Sequence, residues 1–184
     1  MAGNARPTDI DQSMDQEIQD WMAKKNVPGL AACIVHGDAI TWSKGYGLAN
    51  IAKNVPASPD RSLFHIASIT KTITAAAIMQ LRDNGHFALD DDVNDFLEFP
   101  VRNPNHPDTP ITFRHLLTHT SSINDREVIF GLYTPGDPST SLEQVVTRYF
   151  ARNGELWSRK NFRKRPPGSK HRYANMGFAL LGYL

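Results

Sequence analysis

Two strand-like runs flanking His36-Gly37-Asp38 stand early in the chain, and the strongly periodic stretches from Ser68 onward are helical. That order constrains the fold most. Strands first and helices afterwards make an α+β arrangement, because a parallel sheet needs the two to alternate. Residues 29–35 and 39–47 read as a hairpin, with Gly-Asp supplying the turn. Ahead of them, residues 8–25 read as an amphipathic helix. Thr8-Asp9-Ile10-Asp11 resembles a capping box, Ile10, Met14, Ile18, Trp21 and Met22 recur at helical spacing, and Pro28 bars continuation. Downstream, helices are predicted over 68–83, 92–97, 112–119 and 141–153, with a last one from Asn175. Proline-rich loops at 103–110 and 134–138 separate several of them. The last residues, Phe178-Ala179-Leu180-Leu181-Gly182-Tyr183-Leu184, lie inside a helical apolar pattern with no cap, which predicts a truncated chain.

Composition narrows the function classes. With 184 residues, 40% of them hydrophobic, and a net charge of +1, the chain can bury a core and has no global charge calling for nucleic acid or membrane. No apolar run is long enough to span a bilayer, and the first seven residues lack the apolar core of a secretory signal. The expected location of the chain as it stands is cytoplasmic. A single cysteine, Cys33, excludes an internal disulfide and an all-cysteine metal site, and its apolar neighbours predict a buried, inert thiol.

Several tempting patterns are set aside. The five early acids of the first helix suit its N-terminus and a solvated face. Gly45-Tyr46-Gly47 lacks the third glycine of a dinucleotide fingerprint and no helix follows it. His115 and His119 share a helix face, but Leu116 stands where a zinc protease needs glutamate, so packing is their expected role. Asp90-Asp91-Asp92-Val93-Asn94-Asp95 lacks the glycine and final glutamate of a calcium loop, and a helix cap fits it better. No metal and no cofactor are expected. Seven basic residues fall within 159–172 and no acid follows Glu155. Few aromatics interleave them, so a solvated loop, or a rim attracting anionic substrates, is preferred to a nucleic-acid site.

Ser68-Ile69-Thr70-Lys71 opens a run that is apolar nearly all round. A serine at a helix start is an ordinary cap, and lysine one turn on is an ordinary surface residue. The run, however, predicts a buried helix, in which a lysine needs a partner or an altered ionisation. Positions three apart share a helix face, so the amine can reach the hydroxyl. Desolvation and the helix dipole both disfavour the ammonium form, which suits a base for the serine proton. Near the other end, Pro167-Gly168 precedes Tyr173-Ala174-Asn175. The residues alone leave the choice open between a cap with a core tyrosine and an acyl-transfer site.

Together these segments resemble the serine β-lactamase and penicillin-binding protein superfamily, in the branch of class C β-lactamases, D-alanyl-D-alanine carboxypeptidases, D-aminopeptidases and related esterases, where S-x-x-K is a signature. The likeness runs through Val27-Pro28-Gly29-Leu30, residues 64–71, residues 111–123 and residues 167–183, in the family's order. It implies that Ser68 is the nucleophile, Lys71 its proton partner, Tyr173 the proton shuttle of the Y-x-N motif, and Asn175 the residue that binds the substrate amide and orients the lysine. Ser122-Ile123-Asn124 is formally an S-x-N motif, but it lies in the segment resembling the family's structural H-T-S-G-L loop, with Ser122 replacing the glycine. The third motif, K-T-G or H-x-G, is found nowhere in the chain.

The implied fold is β-lactamase/transpeptidase-like: an antiparallel sheet flanked by helices plus a helical domain, truncated at the C-terminus. Residues 1–66 would be the N-terminal helix and hairpin of an incomplete α/β sandwich domain, and 67–184 a truncated helical domain. The implied function of the complete protein is a serine hydrolase acting on an amide, β-lactam or ester through an acyl-serine. The alternative is a non-catalytic relative that binds or scaffolds. A small-molecule or peptide substrate is the expected partner, with no nucleic acid and no membrane. Relatives of this kind are often periplasmic or secreted. By themselves, the 184 residues are expected to be neither a competent enzyme nor a stable monomer.

Overall fold

The computed structural model describes residues 9–184, which fall into two compact units, one ending at His65 and the other Ile66–Leu184. The cap expected at 8–11 and the Ile10 contact lie outside the described residues and side chains.

In the first unit, helix α1 spans Asp9–Lys25 and stops three residues before Pro28, where Asn26 takes φ 53° and the Val27 N–H returns to the Met22 carbonyl at 2.9 Å. Strands β1 (Gly29–His36) and β2 (Ala39–Asn50) pair antiparallel from Gly29↔Gly47 to His36↔Ala39, with a bulge at Ile34/Val35. Gly37, at φ 60°, makes the turn. The second strand runs past the predicted end at residue 47 and pairs with a two-residue β3 (Val55–Pro56) that no periodicity announced. The Gly45/Gly47 pair has a packing reason. A Cβ at residue 45 would stand 2.2 Å from the Ala57 carbonyl oxygen, and one at residue 47 equally close to that of Pro28.

Two expectations fail here. Asp15 is more than a solvated helix acid: its carboxylate accepts from Lys44 Nζ and, at 2.5 Å, from the Tyr46 hydroxyl, tying α1 to the sheet. The lysine contact above all, then the tyrosine contact, holds its ionisation below the usual carboxylate range, while burial, followed by Asp15, pushes Tyr46 up. Cys33 is exposed rather than buried. It lies on β1, which among the described residues pairs only with β2, and Ile34, Val35 and Ile40 beside the turn are exposed as well.

The second unit is helical and holds one apolar core. A single 3-10 turn (Ala67–Ile69) leads into α2 (Thr70–Asp83), followed by α3 (Phe113–Leu117), α4 (Leu142–Phe150) and α5 (Asn175–Tyr183). Sequence-encoded caps set several starts. Thr112 accepts from His115 N and Ser141 from Gln144 N, each with the reciprocal bond of a capping box. The acidic run is structural: Asp92 caps a 3-10 turn at Val93–Phe96 and binds Arg102, Asp90 takes Arg114 in two bonds, and Asp91 accepts from Ala88 N. Ile111, Leu116, Ile123, Val146, Tyr149, Phe150, Leu180 and Leu181 fill the core between these elements.

Helix α2 departs from expectation. Only Ile78 is buried along it, and Ile73 is 67% exposed. Its apolar residues are spread round the helix, whereas the α5 contact within the unit covers one side.

A buried amide and a buried phenol hold the loop that carries the site. Asn161, with no exposed surface, donates to the carbonyls of Tyr149 (2.7 Å) and Leu156 (3.0 Å) and accepts from Arg126 Nη1 (3.2 Å). The Tyr149 hydroxyl in turn donates to the Asn124 carbonyl at 2.5 Å, so the 124–126 segment is clamped from both sides. Asn161→Ala leaves buried acceptors unpaired and should cost about 2–4 kcal/mol in urea unfolding. Asn161→Asp should not rescue it, because a carboxylate cannot donate. A loss below about 0.5 kcal/mol would contradict the clamp.

Candidate active site

The backbone bends sharply into the serine. Ala67 sits at φ 44°, in the left-handed region that costs a non-glycine residue about 1–2 kcal/mol. Ser68 follows in the 3-10 turn with its side chain exposed, and α2 begins two residues later. The one-turn spacing then does what the sequence anticipated: Lys71 Nζ donates to Ser68 Oγ at 3.3 Å.

The third and fourth candidates arrive from the start of α5, more than a hundred residues away. The Tyr173 hydroxyl stands 2.6 Å from Ser68 Oγ, and the Asn175 Oδ1 accepts from Lys71 Nζ at 2.9 Å. Ser68, Lys71, Tyr173 and Asn175 therefore form one hydrogen-bonded cluster. Lys71 Nζ also lies 5.1 Å from the Tyr173 ring centre and 5.7 Å from that of Phe178. The burial expected for Lys71 is absent: it is half-buried, on a helix with a largely exposed face, and partners rather than desolvation fix its position.

Asp125 was missed in the sequence. Its carboxylate accepts from Asn175 N (2.7 Å), Asn175 Nδ2 (3.0 Å) and Met176 N (2.9 Å). Ala174, at the N-cap position, offers no side-chain bond, so a residue fifty positions earlier caps α5. The same contact sets the amide. With Nδ2 committed to Asp125, only Oδ1 can face the lysine. The position had no periodic or motif signal; only its place just after the H-T-S-like loop marked it.

His119 supports the tyrosine. At φ 55°, its ring lies 4.4 Å from that of Tyr173 and 5.0 Å from that of Phe178, and Nδ1 accepts from Ala174 N at 3.3 Å. Burial, then the neighbouring His171 and Lys71, lower its pKa and favour the neutral ring that this acceptor role needs. For Tyr173 the desolvation that raises its pKa is outweighed by the nearby Lys71 amine and by the hydrogen bond to Ser68, leaving a net downward shift. His115 Nδ1 is taken by Thr112 N, in the capping box of α3.

The S-x-N pattern is elsewhere occupied. Ser122, at φ 63° where the resemblance expects glycine, accepts from the buried Asn103, and Asn124 donates to the Lys160 carbonyl. Neither hydrogen-bonds to the Ser68 cluster. Asp125→Ala, by freeing three donors at the head of α5, should lower stability by about 1–3 kcal/mol in urea unfolding. An unchanged midpoint would mean that water caps the helix equally well.

Comparison with known proteins places this cluster in context. Residues 14–184 match the Beta-lactamase family model. The chain is 33% identical over 174 residues to Beta-lactamase-like protein 2 of Dictyostelium discoideum, covering 93% of this chain and 30% of that protein. It is 31% identical over 178 residues to Protein flp of Staphylococcus aureus, covering 96% and 33% respectively. The chain thus spans about a third of the length of these curated relatives. Among solved structures, the octameric penicillin-binding protein homologue from Pyrococcus abyssi superposes with a TM-score of 0.75 at 32% identity, over 95% of this chain and 38% of that one. The fold is β-lactamase/transpeptidase-like, and the chain belongs to the Beta-lactamase family, within the superfamily of serine β-lactamases and penicillin-binding proteins, whose members are serine hydrolases.

Proposed function

We propose that Ser68 is an acyl-accepting nucleophile and that the protein hydrolyses an amide, β-lactam or ester bond through a covalent acyl-serine. The observation that carries this is the convergence of two proton-transfer groups on one hydroxyl, Tyr173 at 2.6 Å and Lys71 at 3.3 Å. In acylation the Ser68 Oγ–H bond breaks as Oγ bonds the carbonyl carbon, and the proton passes to the Tyr173–Lys71 pair. Collapse of the tetrahedral species expels the amine or alcohol, which takes that proton. In deacylation the same pair removes a proton from water as it attacks the ester carbonyl, then returns it to Ser68. Asn175 holds the lysine and offers its amide to the substrate.

An apolar cavity of about 240 Å³ opens beside Asn175, lined by Ile129, Leu132, Tyr133, Val145, Met176 and Ala179. It suits an apolar acyl substituent, whose burial contributes about 25 cal/mol per Å².

The test uses the protein expressed from its complete gene. A fluorophosphonate probe should label it on Ser68, and Ser68→Ala should abolish labelling; equal labelling of the variant would defeat the assignment. Absence of any labelling would instead favour the non-catalytic alternative, a binding or scaffolding relative.

Tyr173→Phe should lower kcat by about 100- to 10,000-fold. Because Tyr173 ionises below its ordinary value, the wild-type rate should rise with pH through an ionisation below about 10, as the phenolate forms. That limb should vanish in the phenylalanine variant. Unchanged kcat and an unchanged profile would reduce Tyr173 to a packing ring.

A further inference from the structure

A second cavity, of about 230 Å³, lies in the helical unit and shares no residue with the Ser68 cluster. Its walls are cationic: Arg163, Lys164, Arg165, Lys170 and Arg172, with Ser122, Pro166 and Ser169 completing it. None of the five cations forms a salt bridge among the described residues, whereas Arg82, Arg102, Arg114 and Arg148 each do. Arg163 Nε is buried without a partner.

The loop is held rigidly, and the way it is held explains why its charges stay unmet. Asn103, with no exposed surface, donates to the carbonyls of Arg163 (2.8 Å) and Arg165 (3.1 Å) and to Ser122 Oγ (2.9 Å). The His106 ring meets the Lys164 carbonyl at 2.8 Å, and Ser169 Oγ the Pro166 carbonyl at 2.7 Å. Further bonds join Arg163 N to the Ser122 carbonyl, Gly168 N to that of Thr120, and Arg172 N to that of His119. The backbone acceptors that would ordinarily satisfy guanidinium and ammonium donors are thus already used. Like charges fixed around one cavity repel, and an anion entering it gains from each of them at once.

We propose that this cavity binds a compact, multiply charged oxyanion, with diphosphate as the chemical class. At about 30 Å³ per water the space equals roughly seven or eight waters, enough for two phosphoryl groups and below the usual volume for a drug-sized ligand. No carboxylate lines it, so the anion is met by the cations directly rather than through a metal. No aromatic lines it either, so it lacks the stacking platform of a single-stranded nucleic-acid groove.

Calorimetric titration with inorganic pyrophosphate near physiological ionic strength tests the site. Saturable one-to-one binding is expected, weakened about tenfold or more in Lys164→Gln/Lys170→Gln, whose two lysines are exposed and expendable for folding. Arg163→Gln should weaken it similarly, and Lys24→Gln/Lys25→Gln on α1 should leave it unchanged. A parallel titration with a nucleoside diphosphate separates the sources: comparable affinity assigns the ligand to phosphate esters, and binding of pyrophosphate alone assigns it to the free ion. Three results would overturn the proposal: no saturable binding, equal affinity in the cavity and α1 variants, or an unstructured oligonucleotide that displaces pyrophosphate at far lower concentration.

Discussion

Three N–H groups at the head of α5 converge on one carboxylate, Asp125, and the candidate site depends on that contact. A helix start leaves its first donors without intrahelical acceptors. Here the acceptor comes from a distant loop, so one interaction both ends an energetic liability and fixes the direction from which Tyr173 and Asn175 enter. The amide is turned by the same bond, and the lysine by the amide. The position of Asp125 is itself inherited, from the Tyr149 hydroxyl on Asn124 and the buried Asn161 on Arg126.

Ser68 is placed by a different means. Ala67 in the left-handed region and the short 3-10 turn set the hydroxyl at the mouth of α2 rather than along its flank. Strain of this kind persists only where the surroundings impose it. The two halves of the cluster thus have separate supports, a bent entry on one side and a capped helix on the other, joined by the contacts of Lys71 and Tyr173.

Legibility followed the range of the interaction. The hairpin could be read because Gly37-Asp38 is local turn chemistry, and the starts of α3 and α4 because Thr112 and Ser141 cap within three residues. Ser68 and Lys71 were found through one-turn spacing, Tyr173 and Asn175 through resemblance. Asp125 escaped because its partners are fifty residues away, and Asn103 because nothing in a proline-rich loop marks an amide as buried. The exposure of Cys33 and of Ile73 was misjudged for a related reason: periodicity shows which residues are apolar, not what covers them. The two-residue β3 is too short for any alternation to register.

The central claim is that Asp125 orients the cluster chemically as well as capping a helix, and the rate of Ser68 modification in Asp125→Asn measures this most directly. Asparagine keeps the size and one acceptor but can present an amide N–H toward Asn175, removing the bias that turns Oδ1 to Lys71. With the complete protein and a fluorophosphonate in excess, the rate constant for Ser68 labelling should fall about tenfold or more, while circular dichroism stays close to wild type and the melting transition falls by less than in Asp125→Ala. Labelling as fast as wild type in a variant that has lost helix stability would reduce Asp125 to a cap and contradict the account.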